Sequence, residues 1–374
     1  MSTINYLTTV QLDFGAINLL PDELARLNIK KPLLITDKGI CSSGLDQKVI
    51  LAMKNPNVVI FDGTPPNPTQ RAVEEATRVY LENHCDGIVS LGGGSSIDLS
   101  KATALLATHP GPLEQYAFLE GGAAKITAKI APLIAIPTTA GTGSEVGRGA
   151  LIIMESGRKL SIISPNIFPK VAICDPELTL GLPPYLTAAT GMDAITHCIE
   201  TYLSPLVNPP ADAIALDGLE RGIKYVKKAT DDGQDREARW NMMVAAMEGA
   251  MAFQKGLGAV HALSHPLGAM PQSFHHGTLN AILLPAVLRF NMPVVIEKFK
   301  KLATVMGLND YAKIPEFIQE LNFNLKLPKG LGEIGFSRNE IETISIAATK
   351  DHCHTTNARI ATIAEYRQIL EESY

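Results

Sequence analysis

Cysteine is scarce and unpatterned. Cys41, Cys85, Cys174, Cys198 and Cys353 make an odd total of five with no CxxC spacing, which argues against a disulfide framework or a cysteine zinc site. Positive charge is in deficit: 33 Lys and Arg against 38 Asp and Glu leave a net charge of −5, so no basic excess exists to neutralise nucleic-acid phosphates. No apolar run is long enough to cross a bilayer. The opening MSTINYLTTVQLDFG lacks the charged start and apolar stretch of a signal peptide, so a cytoplasmic protein without a membrane partner is expected. Internal repeats and low-complexity tracts are missing as well.

What is present is the composition of a packed globule, 46% hydrophobic and 19% charged. A chain of 374 residues exceeds one ordinary core, and two domains are expected. The first half alternates β-branched runs with helical stretches. KPLLITDKG and PNVVIFDGTPPNPT read as strands running into loops, RAVEEATRVYLENHC as an amphipathic helix, and DGIVSL as the next strand. That alternation predicts a parallel sheet with helices on its faces. Near GLPPYLTAATGMDAITHCIETYLS the texture turns helical. The expected division is an α/β domain over 1–180 and an all-helical domain over 181–374, with the Pro-rich Gly181–Pro184 as boundary.

In the first half, SLGGGSSIDLSKATALL ends a buried strand at Leu91 and turns on Gly92, Gly93 and Gly94, which let the backbone approach a ligand closely. Ser95, Ser96 and Asp98 suit a helix start, with Lys101 one turn in. Free N–H groups and the positive end of the helix dipole make an anion site suited to a pyrophosphate, although a plain strand-to-helix turn would read the same way. The segment is not a GxGxxG fingerprint. APLIAIPTTAGTGSEVG adds Thr138, Thr139, Thr142 and Ser144 as donors. Asp37, in TDKG after a strand, can accept both ribose hydroxyls and favours NAD over NADP; as a turn residue it can equally be structural, and neighbouring Lys38 keeps some NADP use open.

The second half carries the sharper constellation. Asp193 and His197 in GMDAITHCIETY are four apart, so a helix puts both on one face. His261 and His265 repeat the spacing in GLGAVHALSHPLGAM, and SFHHGTLNA supplies His275 and His276 at a loop-to-helix junction. One carboxylate with several imidazoles suits a divalent first-row metal, iron or zinc. A lone helical histidine is more often a packing residue; the two i, i+4 pairs are what favour a metal. Spacing leaves open which four residues are ligands.

GGGSSID, PTTAGTGSE, ATGMDAITHCIE, GLGAVHALSHPLGA and HHGTLNAILLP, in this order and over essentially the whole chain, resemble the iron-containing (group III) alcohol dehydrogenases. The resemblance implies an N-terminal dinucleotide-binding α/β domain and a helical C-terminal domain of the dehydroquinate synthase-like type. It implies Fe2+, with Zn2+ as the alternative, held by Asp193, His197, His261 and His276, and it places His265 beside the nicotinamide of NAD(H), not on the metal, as a catalytic residue on the proton path. Within the family, YLTTVQLDFGAINLL, LLITDKG, NPPADAIALDGLERG, AFQKGLG and DHCHTTN resemble the bacterial 4-hydroxybutyrate dehydrogenases. The implied reaction is interconversion of a short primary alcohol and its aldehyde, 4-hydroxybutyrate and succinic semialdehyde first.

A carboxylate on the substrate calls for a cation at its far end. Arg148 and Lys255 are the candidates, with structural ion pairs as the alternative for each. Cys353 and Phe253 match residues near the substrate in related enzymes, His354 in DHCHTTN is a candidate to line the same pocket, and Cys353 reads as a packing thiol rather than a nucleophile. Rival readings are a dehydrogenase or reductase for another small alcohol, diol or anionic aldehyde, and a dehydroquinate synthase-like lyase that returns its NAD unchanged. The family commonly forms homodimers, for which the β-like start YLTTVQLDF is a candidate pairing edge.

Overall fold

The computed structural model describes residues 8–374, in two compact units. One comprises Gly143–Leu180 together with the described residues up to Thr139; the other comprises Gly181–Tyr374 with Ala140–Thr142.

The first unit is built on strands β1 (Thr9–Leu12), β2 (Pro32–Ile35), β3 (Val59–Phe61), β4 (Gly87–Gly92), β5 (Leu133–Pro137) and β8 (Val171–Cys174), with a hairpin of β6 (Gly149–Ile153) and β7 (Lys159–Ile163). Six strands pair in parallel in the order β1-β8-β5-β4-β2-β3, and β6–β7 pair antiparallel. Strands β2, β4, β5 and β8 are buried along their whole length. Helices cover both faces of such a sheet, so these segments read as continuous apolar runs rather than alternating ones. Leu33, Ile35 and Ile88 face one core, while Leu34, Val89, Leu91, Ile134 and Ile136 face the other. Helices α1 (Leu20–Arg26), α2 (Lys38–Ser43), α3 (Leu45–Met53), α4 (Gln70–Glu82) and α5 (Gly94–Leu106) supply the covering layers.

From β2 the chain steps outward to β3, then returns to place β4 on the other side of β2. The carboxyl ends of β2 and β4 therefore flank the topological switch point, where open α/β sheets bind ligands. β1 is an edge strand, paired with β8 of its own chain. Tyr6 and Leu7 of the expected pairing segment lie outside the described residues.

The second unit consists of α6 (Pro184–Leu203), α7 (Pro209–Asp231), α8 (Arg236–Ala252), α9 (Ala259–Gly268), α10 (His276–Asn291), α11 (Ile296–Val305), α12 (Ile314–Asn324), α13 (Ile341–Ala348) and α14 (Ile363–Glu372). α6 starts on Pro184, where a missing N–H costs nothing, and is buried nearly all round, as befits a central helix. Glycines set its spacing to its neighbours. A Cβ on Gly277 of α10 would lie 2.2 Å from the Ala189 carbonyl oxygen, and one on Gly191 would lie 2.6 Å from Val226 Cγ2. No helix among the described residues is long and apolar enough to cross a membrane.

Candidate active site

Three helices of the second unit aim their polar residues at one point. α6 contributes Asp193 and His197, α9 contributes His261 and α10 contributes His276. The Nε2 atoms of His197, His261 and His276 lie 3.6, 3.8 and 3.7 Å from Asp193 Oδ1. Donor atoms of Asp193, His197 and His261 all fall within 4.8 Å of one another, and the three side chains are almost fully buried. His276 approaches from the side of Asn280, its neighbour at i+4 on α10. The Asn280 amide nitrogen sits 2.7 Å from Asp193 Oδ1 and 3.2 Å from Nε2 of both His261 and His276, while its buried Oδ1 has no partner. Acceptor lone pairs converging on one donor are the arrangement a cation needs, and one carboxylate with three imidazoles fits a divalent first-row ion. His275 does other work. It stands at the N-cap of α10, its Nδ1 accepting from the Thr278 N–H at 3.4 Å.

Side chains from distant elements orient these groups. Glu200, one turn beyond His197 on the same face of α6, sets Oε2 2.6 Å from His261 Nδ1. Its Oε1 accepts from the Val260 N–H at 2.7 Å, and Asn357 Oδ1 accepts from the Ala259 N–H at 3.0 Å. The first turn of α9 is thus capped by two residues far away in sequence, and a carboxylate there also complements the helix dipole. With Nδ1 held by Glu200, His261 turns Nε2 toward the cluster, the nitrogen a metal would take on displacing its proton. His265, next along α9, places Nδ1 2.9 Å from Asp351 Oδ2.

Electrostatics follow from burial and these contacts. Burial alone would raise the Asp193 pKa, but the surrounding imidazoles outweigh it and hold the carboxyl well below its usual range. Burial depresses His197 to about 4 despite the Asp193 charge, and depresses His265 to about 4 despite Asp351. His261 goes the other way: burial is outweighed by Asp193 and Glu200, which lift it to about 9.

The first unit holds the expected nucleotide residues around the switch point. Gly92 has φ +146, and a Cβ there would lie 2.6 Å from Ser96 Oγ and 3.4 Å from Asp37 Oδ2. The Gly92 carbonyl accepts from the Thr138 N–H at 3.0 Å, and Gly93 packs against Thr139. α5 begins at Gly94 with no side-chain cap on its first turn, and the buried Ser96 Oγ has no partner. A glycine-lined helix start with uncapped amides fits a pyrophosphate. Asp37 also caps α2, Oδ1 accepting from the Ile40 N–H at 3.0 Å. Ser95 donates to the Pro66 carbonyl. Ser144 and Asp98 are engaged with each other and with the fully buried Lys101, whose Nζ donates to Ser144 Oγ and the Gly149 carbonyl, both at 2.7 Å. Asp98 Oδ2 accepts from the Leu151 N–H at 2.9 Å, so these residues tie the 144–151 segment to α5. Thr142 groups with the helical unit.

The expected substrate residues divide. Phe253 sets its ring edge-on to His197, centroids 5.4 Å apart. Cys353 is buried, and His354 Nδ1 lies 3.0 Å from the Tyr366 hydroxyl. Arg148 is half-buried, its pKa lowered by burial. Lys255 departs from expectation. Its side chain is 1% exposed and its ammonium pairs with Asp212 and the Tyr202 carbonyl, a commitment that leaves it unsuited to receive a substrate carboxylate.

The sequence matches the model of the "Iron-containing alcohol dehydrogenase" family over residues 8–176 and that of the "Fe-containing alcohol dehydrogenase family, C-terminal" over residues 187–374. The chain belongs to the iron-containing alcohol dehydrogenases. It is 55% identical to the 4-hydroxybutyrate dehydrogenase of Cupriavidus necator, with all of both chains covered. Among solved structures it resembles 1,3-propanediol oxidoreductase at TM-score 0.94 and 34% identity, with both chains fully covered. It also resembles the sulfoacetaldehyde reductase of Bifidobacterium kashiwanohense in complex with NAD+, at TM-score 0.90 and 28% identity, covering 100% of this chain and 98% of that one.

As an iron-containing alcohol dehydrogenase, the chain is an NAD(H)-linked oxidoreductase of alcohols and aldehydes. Sequence reading found the histidines of the cluster and missed Glu200, Asn280 and Asp351. Two of these carried a signal. Glu200 follows Asp193 by seven and Asn280 follows His276 by four, so each shares a helix face with an expected ligand. Asp351 reaches His265 across 86 residues and carried none.

Proposed function

We propose that the protein oxidises 4-hydroxybutyrate to succinic semialdehyde with NAD, and catalyses the reverse, as a cytoplasmic homodimer. The observation that carries the chemistry is the convergence of three imidazole Nε2 atoms on Asp193 Oδ1 in a buried site. The choice of acid is supported by 55% identity, over the full length of both chains, to a 4-hydroxybutyrate dehydrogenase. The edge strand β1 is where a second copy would add.

In this reading Asp193, His197, His261 and His276 hold the iron. When bound, the ion supplies Lewis acidity toward the substrate oxygen and NAD accepts the hydride. Glu200 keeps His261 in the tautomer that leaves Nε2 free to bind. Asp351 fixes the His265 ring through Nδ1, so that Nε2 is the nitrogen available to pass a proton. The amides at the start of α5 receive the pyrophosphate, and Asp37 meets the adenosine ribose and favours NAD. Phe253 and Cys353 exclude water from the reacting centre. With Lys255 committed to Asp212, Arg148 is the residue proposed for the substrate carboxylate.

The test is NADH formation by anaerobic, ferrous-loaded enzyme offered 4-hydroxybutyrate, 1-butanol and 1,3-propanediol in turn. The expected result is the highest kcat/KM on the hydroxy acid, with Arg148→Ala losing activity on that substrate alone. Preference for the neutral alcohols, or equal losses on all three, would remove the carboxylate assignment. Absence of NADH from every alcohol with iron bound would point to lyase chemistry.

A further inference from the structure

Beside the Asp193 cluster stands a second group of donors, of different chemistry. Asp351 opens the 3-10 turn His352–Thr356, its Oδ1 accepting from the Cys353 N–H at 2.8 Å. That turn brings three consecutive side chains against His265 on α9. Asp351 Oδ2 lies 2.9 Å from His265 Nδ1, Asp351 Oδ1 lies 3.5 Å from His352 Nδ1, and Cys353 Sγ lies 3.4 Å from His352 Nε2. One donor atom from each of the four residues falls within 4.8 Å of all the others. The His265 and His352 rings stack at 5.5 Å with 10° between their planes.

We propose that His265, Asp351, His352 and Cys353 form a second divalent-metal site, separate from the Asp193 cluster and suited to zinc-like ions. Two imidazoles, a carboxylate and a thiolate complete a four-coordinate set, with nothing left over for substrate. Metal–donor bonds of about 2.0–2.3 Å imply donor separations of about 3.3–3.8 Å at a tetrahedral centre. With one donor atom per residue, all within 4.8 Å of one another, the group closes on that range by shifts of up to about 1–1.5 Å. Sulfur separates the two sites chemically. The Asp193 cluster offers only nitrogen and oxygen, whereas the thiolate of the second favours zinc or cobalt(II) over magnesium- or calcium-like ions. Cys353 and His265 are buried, and His352, 21% exposed, gives the entry path.

A metal on His265 Nδ1 replaces the Nδ1–H hydrogen bond to Asp351. Occupancy of this site and the orienting pair therefore exclude each other, and excess zinc should inhibit the enzyme while its iron stays in place. That consequence for turnover rests on the role proposed above for His265; the binding does not.

The experiment is an anaerobic titration of the full-length, iron-loaded enzyme with Co2+, followed by absorption, metal analysis and NADH formation. A second equivalent of metal per chain should bind with a near-ultraviolet thiolate-to-cobalt charge-transfer band and no loss of iron. Cys353→Ser should abolish the band. His352→Ala, at the partly exposed ligand, should fold, keep its iron and need about tenfold more cobalt for half-saturation, and it carries the test if Cys353→Ser fails to fold. No charge-transfer band at saturating cobalt, a band that survives Cys353→Ser, or unchanged affinity in His352→Ala would overturn the site. Turnover should fall in step with the band. A band with undiminished turnover would leave the site standing and overturn the part assigned to His265.

Discussion

At the scale of single residues, Asp351 is the group whose contribution is easiest to isolate. It holds His265 by one oxygen and caps a turn with the other. Asp351→Asn keeps an acceptor for the cap but offers His265 the wrong partner, so kcat should fall by about a hundredfold with KM and iron content near wild type. Asp351→Glu, which restores the carboxylate, should recover part of the loss. Iron loss in step with activity would mark Asp351 as merely structural. Which residues were legible beforehand follows the same physics. Helical spacing singles out Asp193, His197, His261 and His265, whereas the choice of four with His276 among them comes from the family resemblance and not from spacing. The partner of a buried cation shows in neither: nothing near Lys255 in the chain reveals that Asp212, 43 positions away, will take its ammonium.

At the scale of elements, the cluster depends on how closely α10 approaches α6. Gly277 follows His276 directly, and its Cα faces the Ala189 carbonyl with no room for a methyl group. Gly277→Ala should cost about 1–3 kcal/mol by overpacking and displace His276. The expected readout is less iron retained per chain after dialysis; full retention would mean the contact relaxes without moving the ligand. The α7–α8 contact makes a separate prediction. Glu248 of α8 shares a half-buried pocket with Asp217 of α7. Burial first, then the Asp217 hydrogen bond and charge, push its pKa from 4.5 up to about 8. An acid whose folded pKa is raised binds an extra proton in the native state, so its contribution is complete below pH 4.5 and is lost as pH rises through about 8. Melting temperatures measured across that window should decline in wild type and decline less in Glu248→Gln. Parallel curves would show that the pair does not titrate as described.

At the scale of the whole molecule, the α/β texture of the first half and the helical texture of the second were both readable. Buried parallel strands appear as continuous apolar runs, and long helices carry their own period. The strand order was not readable, since pairing β1 with β8 joins segments from opposite ends of the unit. Nor was the grouping of Ala140–Thr142 with the helices, which arises where Gly141 packs on Thr190. An ion bound only by the native helical unit stabilises it by mass action. At about a hundred times its Kd that amounts to about 2.7 kcal/mol, or about 5–10 °C for a unit of this size. Chelation should lower the melting temperature accordingly; an unchanged transition would mean that the helices do not hold the metal.

The most direct test of the central claim sets two adjacent histidines against each other. His276 points Nε2 at Asp193, whereas His275 caps a helix. Iron per chain and NADH formation should be measured for His276→Ala and His275→Ala, both loaded anaerobically with Fe2+. The account predicts one iron and near-normal turnover in His275→Ala, and little of either in His276→Ala. Iron and activity retained by His276→Ala, or lost only in His275→Ala, would contradict it.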